Sequence, residues 1–238
     1  MSESARKENQ QGGSKKKTVA LLFEFENITV NGRKIVYDVC KRLLSEKEID
    51  LTPSLFVRYC LRPSADIFLP ELLDVVGKKR LSPSKLAAEI DAEIKKALAD
   101  NHLKISGGFA KLLEKARREN ATIGALTALS QDVTQGLVKK LGLDGTSLHL
   151  YYAAAGVVNF PTADAWLKLA KMVGVAPQGC TALATSSESC KAALSGGMSL
   201  VALPDDLTSS QDFGGVDLLI DKLNDESIGQ VVSLMIQR

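Results

Sequence analysis

Glu24 and Glu26 stand two residues apart where the first apolar run ends, in Phe23-Glu24-Phe25-Glu26-Asn27. Side chains alternate along an extended backbone, so both carboxylates are expected on one side of the strand tip. Such a pair could be a nucleophile with its general acid/base, or two ligands of a metal ion. A solvated strand end carries the same residues without any chemistry. Other chemistry-bearing residues are sparse. His102 and His149 are the only histidines, too few for a multi-histidine metal site. Cys40, Cys60, Cys180 and Cys190 form no CxxC pair for zinc or redox work, and are expected as reduced, partly buried thiols.

The elements that would hold such a site are legible as short apolar runs. TVALLFEF, beginning at Thr18, has the pattern of a strand buried on both faces. Similar runs recur at TIGALT (122–127), LHLYYAAA (148–155), CTALA (180–184), SLVAL (199–203) and VDLLI (216–220). Helical periods lie between several of them: Phe109, Leu112, Leu113 and Ala116 share one face, as do Val133, Leu137, Val138 and Leu141. Strand and helix alternating in this way predict right-handed crossovers and a doubly wound parallel α/β sheet. In an open sheet of that kind a ligand crevice lies beyond the carboxyl ends of the strands, where Glu24 and Glu26 fall.

One stretch breaks the alternation. From Val30 to about Ser106 no buried strand is legible, only amphipathic patterns interrupted by Pro53, Pro63, Pro70 and Pro83. Leu86, Ile90, Ile94 and Leu98 recur at steps of four, with Ser82 or Ser84 placed to cap their helix. The expectation is a helical insertion between the first and second strands.

At 238 residues, 45% hydrophobic and 24% charged, the chain can bury the core of one domain plus such an insertion. Its net charge of +2 is too small and too unfocused to favour a nucleic-acid partner. The excess sits in residues 1–17, where Arg6, Lys7, Lys15, Lys16 and Lys17 outnumber Glu3 and Glu8; a polar tail without apolar period is expected to be mobile. No run approaches the ~18 apolar residues of a membrane span, and the N-terminus lacks the apolar stretch of a signal peptide. A cytoplasmic protein is the expectation.

Beyond these patterns, VALLFEFENITV resembles the opening motif of the haloacid dehalogenase superfamily, in which a nucleophilic aspartate and a second aspartate two residues on close the first strand. TIGALT, ending in Thr127, resembles the second motif, whose hydroxyl holds the transferred phosphoryl group. FPTADAWLKLAKMVGVAPQGC resembles the third, and CTALATSSESCKAALSGGMSLVALPDD the fourth. The insertion is similar to the helical cap of the phosphoglucomutase-like and phosphonatase-like branch. The resemblance runs from Lys17 to the end. It implies a core domain of residues 18–30 and 107–238, a cap domain of residues 31–106, and magnesium-dependent phosphoryl transfer by a hydrolase.

At the catalytic positions the sequence departs from that pattern. Glu24 takes the nucleophile's place and Glu26 that of the acid/base, each a methylene longer than aspartate; a shift of about 1 Å can cost ~100-fold in rate. Asn27 replaces the usual glycine. Phe160, before Pro161, stands where a phosphate-neutralising lysine is expected, and Ala184 and Thr185 where acidic metal ligands are expected. Thr127 alone keeps its type. Lys168 and Lys171 lie two to three turns down the next helix. The resemblance so altered implies a site without magnesium, in which two glutamates face any phosphate with no positive counterpart. The expected function is that of a catalytically degenerate pseudoenzyme whose core/cap cleft holds a small-molecule ligand through Asn27, Thr127, Thr185 and Ser186. The alternative is a slow, diverged phosphatase using Glu24, Glu26 and Thr127. A third reading gives the basic tail and the cap a protein partner. Trp166, spaced helically from Ala170 and Val173, and Tyr151 and Tyr152, on a strand run, are read as packing.

Overall fold

In a computed structural model of the chain, residues 18–100 and 102–237 are described. The expected mobile tail, 1–17, lies outside the described residues.

The first strand, β1 (Ala20–Glu24), is buried at all five positions because both of its faces are covered. Leu21 and Phe23 join one apolar cluster and Ala20 and Leu22 the other, as alternation requires. β1 pairs in parallel with β2 (Thr122–Thr127) on one side and β4 (Cys180–Ala184) on the other. With β3 (His149–Tyr152), β5 (Ser199–Ala202) and the two-residue β6 (Leu218–Leu219), the order is β3-β2-β1-β4-β5-β6 and every pairing is parallel. The strand-like run at 216–220 thus contributes only Leu218 and Leu219 to the ladder.

Helices cover both faces. α6 (Gly107–Arg118), α7 (Gln131–Lys140) and α10 (Asp225–Ile236) bury Phe109, Leu112, Leu137, Ile228 and Val231 against Leu21, Phe23 and Ile123. On the opposite face α8 (Ala163–Met172) and α9 (Ser187–Ser195) bury Trp166, Leu169 and Ala193 against Leu22 and Ala182. Trp166 is fully buried, in keeping with its reading as packing. This is a doubly wound α/β sheet. Its central switch, where the chain leaves β1 for one side and later returns for β4 on the other, lies at the carboxyl end of β1.

Between β1 and β2 the described residues form helices only. α1 (Phe25–Val30) follows the strand without a break, and Asn31, in the left-handed region at φ 55°, turns the chain into α2 (Gly32–Ser45). α3 (Pro53–Tyr59), α4 (Ala65–Val75) and α5 (Pro83–Leu98) complete the insertion. Ser82 caps α5 as expected, its hydroxyl accepting from the Lys85 amide at 3.5 Å. The insertion has an apolar cluster of its own, with Leu43, Leu44, Phe56, Phe68, Leu72 and Ile90 at its centre. No helix among the described residues is long and apolar enough to cross a membrane.

Candidate functional site

Glu24 is the last residue of β1 and only 4% exposed. Its carboxylate turns toward the end of β4, accepting from the Thr185 amide at 3.0 Å and the Thr185 hydroxyl at 2.6 Å. Asn27, one turn ahead in α1, donates to the same group at 2.8 Å.

Glu26 departs from the expectation. The strand ends at Glu24 and a helix begins at Phe25, so the two glutamates do not alternate along one extended backbone. Glu26 in the first turn of α1 reaches the other neighbour of β1, where it accepts from the Thr127 hydroxyl at 2.9 Å and the Ala128 amide at 3.1 Å. Thr127 ends β2 fully buried, and its hydroxyl in turn accepts from the Leu129 amide at 3.1 Å. Burial pushes the Glu26 carboxyl above its ordinary value, with a small addition from the Glu24 charge; the Ala128 and Thr127 bonds oppose the rise.

The expectation that no cation faces the two glutamates fails for Glu24, which meets Arg33. This arginine, on the first turn of α2, is only 8% exposed. Its guanidinium donates to the Asp205 carboxylate, to the Thr185 hydroxyl at 2.8 Å and to the Thr185 carbonyl at 3.4 Å, and lies 3.8 Å from Glu24. Asp205 itself is fixed by the Leu207 and Thr208 amides at 3.0 and 3.1 Å. Gly32 permits the approach, since a Cβ there would lie 2.9 Å from that of Glu26.

The remaining expected residues fall as follows. Asn27 and Ser186 line the cleft together with Glu24 and Glu26, but the Ser186 hydroxyl is also the N-cap of α9, accepting from the Ser189 amide at 3.4 Å. Phe160 packs half-buried at the cleft wall. Lys168 is exposed and held by Asp164 at 2.8 Å, with Tyr151 near the end of β3 as a further partner, and Lys171 is exposed on the last turn of α8. All four cysteines are free and buried; desolvation pushes Cys40, Cys180 and Cys190 up to about 12, which disfavours their thiolate forms.

Arg33 and Asp205 are the residues of the candidate site that sequence reasoning passed over. Asp205 follows the SLVAL run, at the kind of strand end where a ligand crevice is sought. The Asn31-Gly32 pair is a turn signal that sends Arg33 back over the sheet. Nothing in the local pattern marks an arginine as buried.

A magnesium ion does not fit these residues. It would need several hard oxygens near ~2.1 Å. Ala184 supplies a methyl group, the Thr185 hydroxyl donates to Glu24, and Glu24 and Asp205 both face Arg33. Among the described residues no group of three or more His, Cys, Asp or Glu could hold a metal.

The pocket above these groups has a volume of about 430 Å³ and lies between the strand ends and the insertion. Val36, Phe56, Phe68 and Ile94 form its insertion wall, and Leu129, in the loop after β2, and Val133, on α7, part of the opposite wall. At the rim Arg62 donates to Asn159 at 2.6 Å, joining the insertion to the loop before α8.

No family model matches the sequence, and no curated protein does. Solved structures do. A beta-phosphoglucomutase from Clostridium difficile superposes with a TM-score of 0.72 at 21% identity, over 93% of this chain and 100% of its own. The fold is that of the haloacid dehalogenase-like hydrolases. CbbY from Rhodobacter sphaeroides, solved with phosphate, shares it at TM-score 0.71 and 14% identity, over 87% of this chain and 96% of its own. So does a haloacid dehalogenase family hydrolase from Deinococcus radiodurans with bound phosphate and sodium, at 0.69 and 17%, over 91% and 97%. At these identities the likeness to dehalogenase-like structures is one of fold.

Proposed function

We propose that this protein keeps the dehalogenase-like fold as a degenerate, metal-independent binding protein, with the helical insertion acting as a cap over a pocket for a small molecule. One observation carries the reading: Glu26 accepts from both Thr127 and Ala128. In the resemblance set out above the Thr127 hydroxyl would hold a phosphoryl group, and here the chain's own carboxylate takes that place.

A phosphate would have to displace this carboxylate and then meet Glu24. Two like charges at ~4 Å repel by about 1–4 kcal/mol in a partly screened site. Arg33 does not reverse this balance, since Glu24 and Asp205 share its single charge. Phosphoryl transfer depends on positioning and charge neutralisation, so a cradle filled from within lacks its main catalytic contribution. The volume of the pocket suits a ligand of drug-like size, and its walls offer apolar contacts from Val36, Phe56, Phe68 and Ile94 beside the charged Arg62, Lys95, Asp91 and Glu188.

The test pairs turnover with binding. Hydrolysis of generic phosphate esters is measured across a magnesium titration for the wild type and Glu24→Gln. Both are expected to stay at background, while Nile red binds the wild type with a blue shift that orthophosphate does not reverse. Magnesium-dependent turnover lost in Glu24→Gln would overturn the reading in favour of a slow phosphatase with a Glu24 nucleophile.

A further inference from the structure

We propose that Arg33 is the resident cation of the site, a tethered guanidinium that does the electrostatic work of a divalent ion and ties the helical insertion to the sheet. The argument begins with charge. Glu24 ends β1, Thr185 directly follows β4, and Asp205 lies in the loop after β5, so oxygens from three neighbouring strand ends converge at the switch point of the sheet. Two of these residues are carboxylates, with side chains only 6% and 18% exposed. Buried carboxylates without a counter-charge are costly, and a parallel sheet can meet that cost with a bound ion or with a basic side chain.

Here the basic side chain is present and its fit is specific. The planar guanidinium spreads its donors over the Asp205 carboxylate, the Thr185 carbonyl and the Thr185 hydroxyl, with Glu24 at 3.8 Å. The Thr185 hydroxyl relays the interaction, accepting from Arg33 and donating to Glu24 at 2.6 Å. A guanidinium keeps its charge throughout the physiological range and is more weakly hydrated than an ammonium, which suits a permanent buried cation.

Position gives the second consequence. Arg33 belongs to α2, the first long helix of the insertion, one residue beyond the left-handed Asn31 and the close-packed Gly32. Its bonds therefore fasten the base of the insertion to the tips of β1, β4 and β5. A metal ion would leave the insertion free to part from the sheet; an arginine cannot neutralise the site without holding the two together.

The inference deepens the reading of the site as metal-independent, but its test uses no turnover. Thermal unfolding is followed for the wild type, Arg33→Met and Arg33→Lys, each in EDTA and in excess magnesium, and manganese binding is read by electron paramagnetic resonance for the wild type and Arg33→Ala. The wild type is expected to unfold at the same temperature in both buffers and to bind no manganese. Arg33→Met should unfold about 10 °C lower, Arg33→Lys should recover part of that loss because it keeps the charge, and Arg33→Ala should show a bound-manganese signal that the wild type lacks. A wild type stabilised by magnesium, or a lysine variant no better than methionine, would overturn the proposal. Nile red that fails to bind, or ester hydrolysis that needs no metal, would sink the proposed function and leave this inference standing; a lysine variant no better than methionine, with turnover still at background, would sink this inference and leave the proposed function standing.

Discussion

Glu24 and Glu26 are separated by one residue, yet they reach opposite neighbours of β1 and meet opposite conditions. Glu24 turns to the β4 side, where a buried arginine stands behind the threonine that binds it. Glu26 turns to the β2 side, where its partners are a neutral hydroxyl and a backbone amide. The difference shows how a strand tip can hold two carboxylates at close quarters. One is compensated by a fixed cation, and the other has its carboxyl pushed toward the protonated form by burial.

The comparison can be broken first at the two threonines. Thr185→Val removes the hydroxyl that links Arg33 to Glu24 and leaves each of these buried charged groups one hydrogen-bond partner short; a loss of about 2–3 kcal/mol is expected in chemical denaturation. Thr127→Val should cost less, about 1–2 kcal/mol near neutral pH, and less again in acid, because a protonated Glu26 needs fewer donors. Equal losses with equal pH dependence would contradict the asymmetry.

A finer effect concerns Glu26 alone. Its folded value lies above the ordinary 4.5, so the folded state holds the proton more tightly than the unfolded chain does. Its contribution to stability is therefore fully present below the ordinary carboxylate range and declines as pH rises through the raised value. Glu26→Gln removes this titration. The melting temperature of the wild type relative to Glu26→Gln should fall as pH increases across that window, and parallel curves for the two proteins would show that Glu26 does not titrate as described.

Much of this architecture could be read before any coordinates. The strand runs were legible because a sheet covered on both faces demands continuous apolar residues, and β1, β2, β4 and β5 supply them. The helical insertion was legible from the spacing of Leu86, Ile90 and Leu98, all of which are buried. The orientation of Glu26 was not, because alternation holds only while the backbone stays extended and the helix begins at Phe25. Arg33 was missed for a different reason. Its partners Thr185 and Asp205 lie 152 and 172 residues away, and no local period registers a contact of that range. Acidic and hydroxyl groups at strand ends mark where a site is; the cation that completes it comes from the insertion.

The most direct test is a crystal structure of the wild type grown with saturating magnesium and phosphate. The account predicts Arg33 still bonded to Asp205 and Thr185, Glu26 still on Thr127 and Ala128, and no ion between Glu24 and Thr127. A metal seated between Glu24 and Asp205 with Arg33 displaced, or a phosphate bound by the Thr127 hydroxyl and the Ala128 amide, would contradict it.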